Sequence, residues 1–172
     1  KTGVEARHWE AVGRLEIGTT GFCTGALISD VLVLTAAHCL FDSRTQERVD
    51  PKVIEFRAGW RNGSAAAFRN VRRAVVHPKY NYGGPDADFR EVANDVALLE
   101  LSHPIRNGRI QPFAIAPRPV KGARVGVVSY AQGRETAPSL QQECRVMARQ
   151  FGMLVMSCDV NFGASGAPVF DF

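Results

Sequence analysis

Three residues of this sequence have the types and local contexts that nucleophilic hydrolysis needs: Ser165, His38 and Asp95. Ser165 lies between glycines, which permit a tight turn that presents the hydroxyl and lets N–H groups converge near it. His38 ends an apolar segment beside a cysteine, so its imidazole has the fixed backbone that a general base requires. Asp95 leads an apolar strand. Each context alone is more often an ordinary loop, a structural histidine or a turn residue, so the three must be judged together.

The composition is that of a soluble globular protein and excludes several classes of function. Of the 172 residues, 45% are apolar and 22% are charged. No apolar run approaches the ~18 residues of a membrane span. Residues 1–9 lack the apolar core of a signal peptide, so we expect any export signal to have been removed or to lie outside this sequence. The net charge of +4 comes from dispersed Arg and Lys without a basic stripe, so we expect no nucleic-acid partner.

The four cysteines are spaced for two disulfides. Cys23 and Cys39 lie on either side of a predicted turn at residues 29–30, and Cys144 and Cys158 flank a second predicted turn. Hairpins at these turns would bring the Cα atoms of each pair within the about 7 Å that a disulfide tolerates. Two disulfides indicate an oxidising compartment, so we expect a secreted or periplasmic protein. No Cys or His spacing is that of a zinc site, and we expect no metal and no cofactor.

Short apolar runs punctuated by Gly, Pro and Asn predict antiparallel strands in a sandwich or barrel. The predicted strands are 11–17, 23–29, 31–35, 53–58, 65–68, 71–76, 96–101, 124–130, 144–150 and 153–158. Residues 36–40 are expected to form a single helical turn. The prolines between residues 104 and 121 predict an extended connector.

The order His38, Asp95, Ser165 is that of the chymotrypsin-type triad and differs from the order in subtilisins and α/β-hydrolases. The segments that carry these residues, and one before the histidine, resemble those of the trypsin-like (chymotrypsin-fold) serine peptidases: Phe22–Ser29, Thr35–Cys39, Asn94–Leu99 and Gly163–Pro168. Because three matches occur in the right order, the resemblance is specific. It extends from about residue 9 to the end of the chain.

The resemblance implies an all-β fold of two antiparallel β-barrels with the active site in the cleft between them. Residues 1–110 would form the first barrel and carry the histidine and the aspartate. Residues 111–172 would form a partial second barrel and carry the serine. Cys23–Cys39 would match the family's disulfide beside the catalytic histidine, and Cys144–Cys158 resembles its disulfide in the second barrel.

The resemblance also implies a mechanism of peptide-bond hydrolysis. Ser165 is a poor nucleophile until His38 takes its proton. Asp95 would hold the imidazole in the right tautomer and stabilise its cation. The N–H groups of Gly163 and Ser165 would form the oxyanion hole, in which one donor is typically worth roughly 10²–10³ in rate. The expected partners are protein or peptide substrates.

The sequence departs from the family's pattern beside the serine. Ala164 stands where trypsin-like enzymes usually carry an aspartate, whose ion pair with a new N-terminus activates the animal enzymes. That activation is not available to this chain, and the Gly-Ala-Ser-Gly-Ala-Pro form looks more like bacterial relatives, including the glutamyl-endopeptidase-like group. Ala167 replaces the next glycine, a small change.

Two further departures concern substrate recognition. Asp159 lies six residues before the serine, where trypsin has its specificity aspartate, so it would either favour Arg or Lys at the cleaved position or serve as a structural hydrogen-bonding residue. The sequence ends at Phe172, before the last strands of the family's second barrel. This favours a fragment or processed chain, with a separate C-terminal piece of the same precursor as a partner.

Three functions remain open from the sequence. The first is a serine endopeptidase. The second is a chymotrypsin-fold pseudo-protease or inactive precursor that acts as a binding or regulatory protein, which Ala164 and the early end favour. The third is an esterase on the same triad, which the chymotrypsin order disfavours.

Overall fold

The structure is a computed structural model that describes residues 9–18, 21–83, 92–150, 153–158 and 163–171, apart from the side chains of residues 134, 142 and 143. The described part contains ten strands: β1 (Val12–Ile17), β2 (Gly21–Leu27), β3 (Leu32–Thr35), β4 (Ile54–Ala58), β5 (Ala67–Val76), β6 (Ala97–Leu101), β7 (Arg124–Ala131), β8 (Arg134–Gln150), β9 (Met153–Met156) and β10 (Val169–Asp171). Two 3-10 turns cover Ala37–Leu40 and Pro51–Val53. The predicted all-β fold is confirmed, as is the helical turn after β3.

The first six strands form a closed barrel in the order β1-β2-β3-β6-β5-β4, with β4 pairing back onto β1. Strands β4 and β6 alternate buried and half-buried residues because successive side chains of a strand point to opposite faces. The buried set fills the barrel, and Leu15, Phe56 and Leu99 have no exposed surface. Each such side chain contributes roughly 1.5–3 kcal/mol through burial of its apolar surface. The connector adds Ile105 and Ile110 to the same core.

The remaining strands form an open sheet in the order β10-β7-β8-β9. Seven of the eight residues of β7 are buried, all except Arg124. One face of the strand packs on the barrel, and side chains on the other face pack against those of β8. Val128 and Tyr130 pack with Val12 of the barrel. Val125 packs with Cys144 and Val146 of β8. β7 is therefore the strand that joins the two sheets.

Hydrogen bonds and aromatic rings fix the sheet against the barrel. The Tyr130 hydroxyl donates to the Trp60 carbonyl at 2.7 Å, and the Trp60 indole N–H donates to the Glu135 carbonyl at 3.1 Å. The Arg14 guanidinium also donates to Glu135 O at 2.9 Å. Burial of the Tyr130 phenol raises its pKa, since the charged form would lose its hydration.

Both predicted disulfides are formed, Cys23–Cys39 and Cys144–Cys158. The two disulfides lie in different secondary structure. Cys144 and Cys158 extend the in-register pairing of β8 with β9, in which Val146 faces Met156, as predicted.

The expectation that the hairpin itself brings Cys39 to Cys23 is wrong in detail. The hairpin pairs Ala26 with Leu34 and Leu27 with Val33. Cys39 lies beyond the hairpin, in the 3-10 turn Ala37–Leu40. The turn bends the chain back far enough to bring its sulfur to Cys23.

The predicted strands also differ from the structure in three places. Residues 65–68 and 71–76 belong to one strand, β5, because its pairing with β4 runs through Arg69 and Asn70, and a bulge after Val71 absorbs the irregularity. Strand β8 begins ten residues before the predicted start, at Arg134. Its Pro138 falls in a stretch where the register with β7 shifts, and a bulge tolerates the missing N–H. Strand β10 was not predicted, since it has only three residues.

Candidate active site

His38 and Asp95 are held together at two points. The His38 ring Nδ1 lies 2.6 Å from Asp95 Oδ2, and the backbone N–H of His38 donates to Asp95 Oδ1 at 2.7 Å. Both carboxylate oxygens therefore bind one residue, which fixes the ring and its backbone together. A bond to Nδ1 leaves Nε2 as the nitrogen that can exchange a proton with another group.

The barrel positions this pair through two neighbouring strands. His38 lies in the 3-10 turn that follows β3, and Asp95 lies two residues before β6. Strands β3 and β6 pair antiparallel, with Thr35 opposite Ala97, so the end of one strand meets the start of the other. The His38 side chain keeps 41% of its surface exposed and Asp95 17%. The imidazole is thus reachable from solvent, while the carboxylate lies behind it.

Ser165 occupies the second position of a hydrogen-bonded β-turn, in which the Ala167 N–H donates to the Ala164 carbonyl at 2.9 Å. The third position is Gly166 with φ of +84°. A positive φ at that position is what a type II turn requires, and glycine adopts it without strain. The sequence therefore forms this turn because the residue after the serine is glycine.

The serine turn packs on strand β2 of the barrel. The Thr24 N–H donates to the Ser165 carbonyl at 2.9 Å, and the Thr24 hydroxyl lies 2.9 Å from the Gly163 carbonyl. A Cβ at Gly163 would overlap the ring of Phe22, and one at Gly166 would overlap the Thr24 carbonyl oxygen. Both glycines are thus needed for the close approach.

The disulfide beside His38 reaches the same turn. Cys39 Sγ lies 3.8 Å from the Ser165 carbonyl oxygen, and Cys39 follows His38 directly in the chain. The structure therefore brings the serine segment, although it comes from the second sheet, to the barrel segment that carries the histidine. Gly163 belongs to the same assembly, whereas Asp159 lies outside the described residues.

The chain's match to known sequences agrees with this geometry. The sequence profile of the family described as Trypsin matches residues 2–171. The chain belongs to the trypsin family. Within this family it is 37% identical over 106 residues to trypsin of Phaedon cochleariae, a match that covers 60% of this chain and 36% of that protein. It is 33% identical over 143 residues to human cathepsin G, covering 76% and 51%.

Other relatives extend the comparison. Serine protease 23 of Rattus norvegicus is 27% identical over 165 residues, covering 86% of this chain and 42% of that protein. The chain thus spans about a third to a half of the length of these relatives. A solved structure titled "Structure of Glu endopeptidase in complex with MPD" superposes with a TM-score of 0.73 over 95% of this chain and 74% of that one, at 17% identity. This likeness shows the chymotrypsin-like fold.

This member of the trypsin family has Ala164 where the resemblance leads one to expect an aspartate. Ala164 is buried, with 6% of its surface exposed. A methyl group in this place cannot form an ion pair, so the serine turn is held by other contacts.

Sequence reasoning missed the residues that surround this turn, Thr24, Thr35 and Phe22. The Thr35 hydroxyl donates to the Thr24 carbonyl at 2.9 Å. A threonine within an apolar strand is common in β-sheets and carries no functional signal. In the sequence, only the position of Thr24 next to Cys23 distinguishes it.

Within the described ranges, no three His, Cys, Asp or Glu side chains come together as a cluster that could bind a metal ion. None of the helical segments described is long and apolar enough to cross a membrane.

Proposed function

We propose that this chain is the peptidase part of a serine endopeptidase that hydrolyses peptide bonds of protein substrates through an acyl-enzyme. The observation that carries the proposal is the two-point bond between His38 and Asp95, at 2.6 and 2.7 Å. A purely structural histidine needs no carboxylate that fixes both its ring and its backbone. A general base needs this arrangement because its tautomer and direction must be set before substrate binds.

Each residue of the site has a role in this proposal. Ser165 Oγ attacks the carbonyl carbon of the scissile bond while His38 Nε2 takes the hydroxyl proton. The oxygen of the tetrahedral intermediate accepts hydrogen bonds from the N–H groups of Gly163 and Ser165. Asp95 stabilises the imidazolium cation. When the intermediate collapses, the C–N bond breaks and His38 gives its proton to the leaving amine. Water then repeats the sequence to release the acid.

The test is covalent labelling with a fluorophosphonate, which reacts with an activated serine. The wild-type protein should be labelled at Ser165 and should cleave a denatured protein substrate. Ser165→Ala should lose both reactions and keep its circular-dichroism spectrum, because alanine fits the same turn. His38→Ala should also lose labelling, since the serine then has no base. Undiminished labelling of His38→Ala would contradict the proposal.

A second candidate is a pseudo-protease or inactive precursor that acts by binding. The buried Ala164 favours it, because the activation switch implied by the family's aspartate is absent. Wild-type protein that binds a peptide substrate without labelling or cleavage would support this candidate.

Asp159 has two interpretations, as a specificity carboxylate or as a structural hydrogen-bonding residue. As a specificity carboxylate it would make Arg or Lys the preferred residue at the cleaved position. A cleavage profile against a peptide library that shows no basic preference would leave Asp159 a structural role.

We also expect the protein to be secreted or periplasmic, because its two disulfides form and persist in oxidising compartments. We place the boundary between its two units at residues 110–111, within the connector. Limited proteolysis of the folded protein should cut first in the connector, and a first cut within β1–β6 would argue against that boundary.

A further inference from the structure

Thr24 is the residue at which the barrel, the second sheet and the serine turn meet. It lies in β2 and has no exposed surface. The Tyr130 N–H of β7 donates to its hydroxyl oxygen at 3.1 Å. The hydroxyl lies 2.9 Å from the Gly163 carbonyl oxygen and 3.3 Å from the Tyr130 carbonyl oxygen. A hydroxyl has one hydrogen to donate, and Gly163 is the nearer acceptor.

Three successive carbonyls of the serine turn are hydrogen-bonded, and Thr24 binds two of them. Gly163 O accepts from the Thr24 hydroxyl and Ser165 O from the Thr24 N–H, each at 2.9 Å, while Ala164 O accepts from the Ala167 N–H. A peptide group is planar and trans, so a fixed carbonyl also fixes the N–H of the following residue on the opposite side. Thr24 therefore fixes the peptide groups on either side of the one that carries the Ser165 N–H, and the Ala167 N–H fixes that one.

Gly163 makes this anchoring necessary. Its φ is +90°, and glycine has no Cβ to restrict rotation of the adjoining peptide groups. The buried Ala164 cannot replace the anchor with an ion pair. Without the Thr24 hydroxyl, the peptide group between Gly163 and Ala164 loses the side-chain partner of its carbonyl.

We propose that Thr24 is a positioning residue for the hydrolytic site: its hydroxyl holds the peptide group between Gly163 and Ala164, which lies between the two peptide groups that carry the Gly163 and Ser165 N–H groups, and so keeps both N–H groups pointing at the substrate oxyanion. This inference rests on the proposed function. It assigns Thr24 no contact with substrate, so Thr24 acts through the backbone of the serine turn.

The test compares Thr24→Val, which keeps the shape and removes the hydroxyl, with Thr24→Ser, which keeps the hydroxyl. Thr24→Val should lower kcat roughly 10- to 100-fold, as small displacements of reacting groups do, with KM changed less than about twofold because the loss concerns the transition state. Thr24→Ser should retain most of kcat. Thr24→Ala is the substitute if Thr24→Val does not fold.

A matched control removes a different hydrogen bond between the same two sheets. Tyr130→Phe loses the 2.7 Å bond from its phenol to the Trp60 carbonyl and leaves every contact of the serine turn in place. It should lower thermal stability and leave kcat unchanged. A loss of kcat equal to that of Thr24→Val would mean that general loosening is responsible, and would overturn the inference.

Amide hydrogen exchange provides a readout that does not need activity. In Thr24→Val, exchange of the amides of residues 163–167 should speed up while the barrel amides keep their protection, and Thr24→Ser should exchange like the wild type. Unchanged exchange, or unchanged kcat in Thr24→Val, overturns the inference. If the wild type neither labels nor cleaves, the proposed function fails. Exchange then decides alone whether Thr24 orders the turn, and faster exchange confined to residues 163–167 supports it.

Discussion

The two parts of this molecule position their functional residues in opposite ways. The barrel is closed, so every strand from β1 to β6 has two hydrogen-bonded neighbours, and it holds His38 and Asp95 through its own strand ends. The second sheet is open among the described strands, and its serine turn is held by contacts that belong to the barrel: Thr24, Cys39 and the ring of Phe22. The proposed base is thus fixed from within one unit, whereas the proposed nucleophile is fixed from the other.

Changes on the barrel side can therefore disturb both halves of the site. A change confined to the second sheet acts on the serine directly, whereas its path to the His38–Asp95 bond runs through barrel residues such as Cys39, whose sulfur contacts the Ser165 carbonyl. Variants that weaken one side at a time can test this asymmetry.

The largest expected effect is that of Asp95→Asn. The substitution keeps the shape of the side chain and removes the charge that orients and stabilises the imidazole. We expect kcat to fall by roughly 10⁴, equivalent to about 5.4 kcal/mol, with a native circular-dichroism spectrum. Steady-state kinetics at saturating substrate provides the measurement. A loss below tenfold would mean that Asp95 does not orient the base.

The two disulfides allow a direct comparison of the two units. Their sequence separations are 16 and 14 residues, so each double Cys→Ser variant should lose about 3 kcal/mol of unfolding free energy. Only Cys23→Ser/Cys39→Ser should also lower kcat under conditions where the protein stays folded, because Cys39 adjoins His38 and contacts the Ser165 carbonyl. Urea unfolding and kinetics at low temperature measure the two effects. Equal losses of kcat in both variants would remove the asymmetry.

Gly166→Ala should affect the serine turn alone. Its Cβ would overlap the Thr24 carbonyl and the Thr35 hydroxyl, so the turn must move, and we expect kcat to fall roughly 10²-fold. Gly63→Ala is the matched control, because Gly63 has a similar φ of +82° and nothing within 4 Å of an added Cβ. It should cost only the roughly 1–2 kcal/mol of left-handed backbone and leave kcat unchanged. Similar kinetics in the two variants would contradict a close fit at Gly166.

The smallest effect concerns the contact between the sheets at high pH. Burial raises the pKa of Tyr130, so the folded protein keeps a phenolic proton that the unfolded chain releases above about pH 10. The stabilisation is complete below that pH and falls as pH rises further, by up to about 1.4 kcal/mol per pH unit. Urea unfolding between pH 9 and 11.5 should show a shallower decline in Tyr130→Phe than in the wild type, and parallel curves would argue against a buried phenol.

Local patterns in the sequence were sufficient to predict much of this structure. Strands such as β4 and β6 were predictable because their alternation follows directly from which side chains face the barrel. Short motifs in a fixed order identified His38, Asp95 and Ser165 as candidate catalytic residues. The cysteine spacings predicted both disulfides.

What the sequence did not reveal depends on contacts between distant residues. Thr24 binds Gly163 and Tyr130, which are 139 and 106 residues away, and nothing in a β-strand threonine indicates such partners. The early part of β8 was missed because Pro138 interrupts the strand pattern, and only the bulge against β7 shows how the pairing continues past it.

The aromatic contacts between the sheets have an optical consequence. The chain has two tryptophans, and both pack in the cluster between the barrel and the second sheet. The Trp9 ring lies 4.6 Å from that of Phe170, which follows the serine turn by a few residues. Tryptophan fluorescence therefore reports on the junction of the two units and not on the barrel interior, so a shift in emission should register their separation before the barrel itself unfolds.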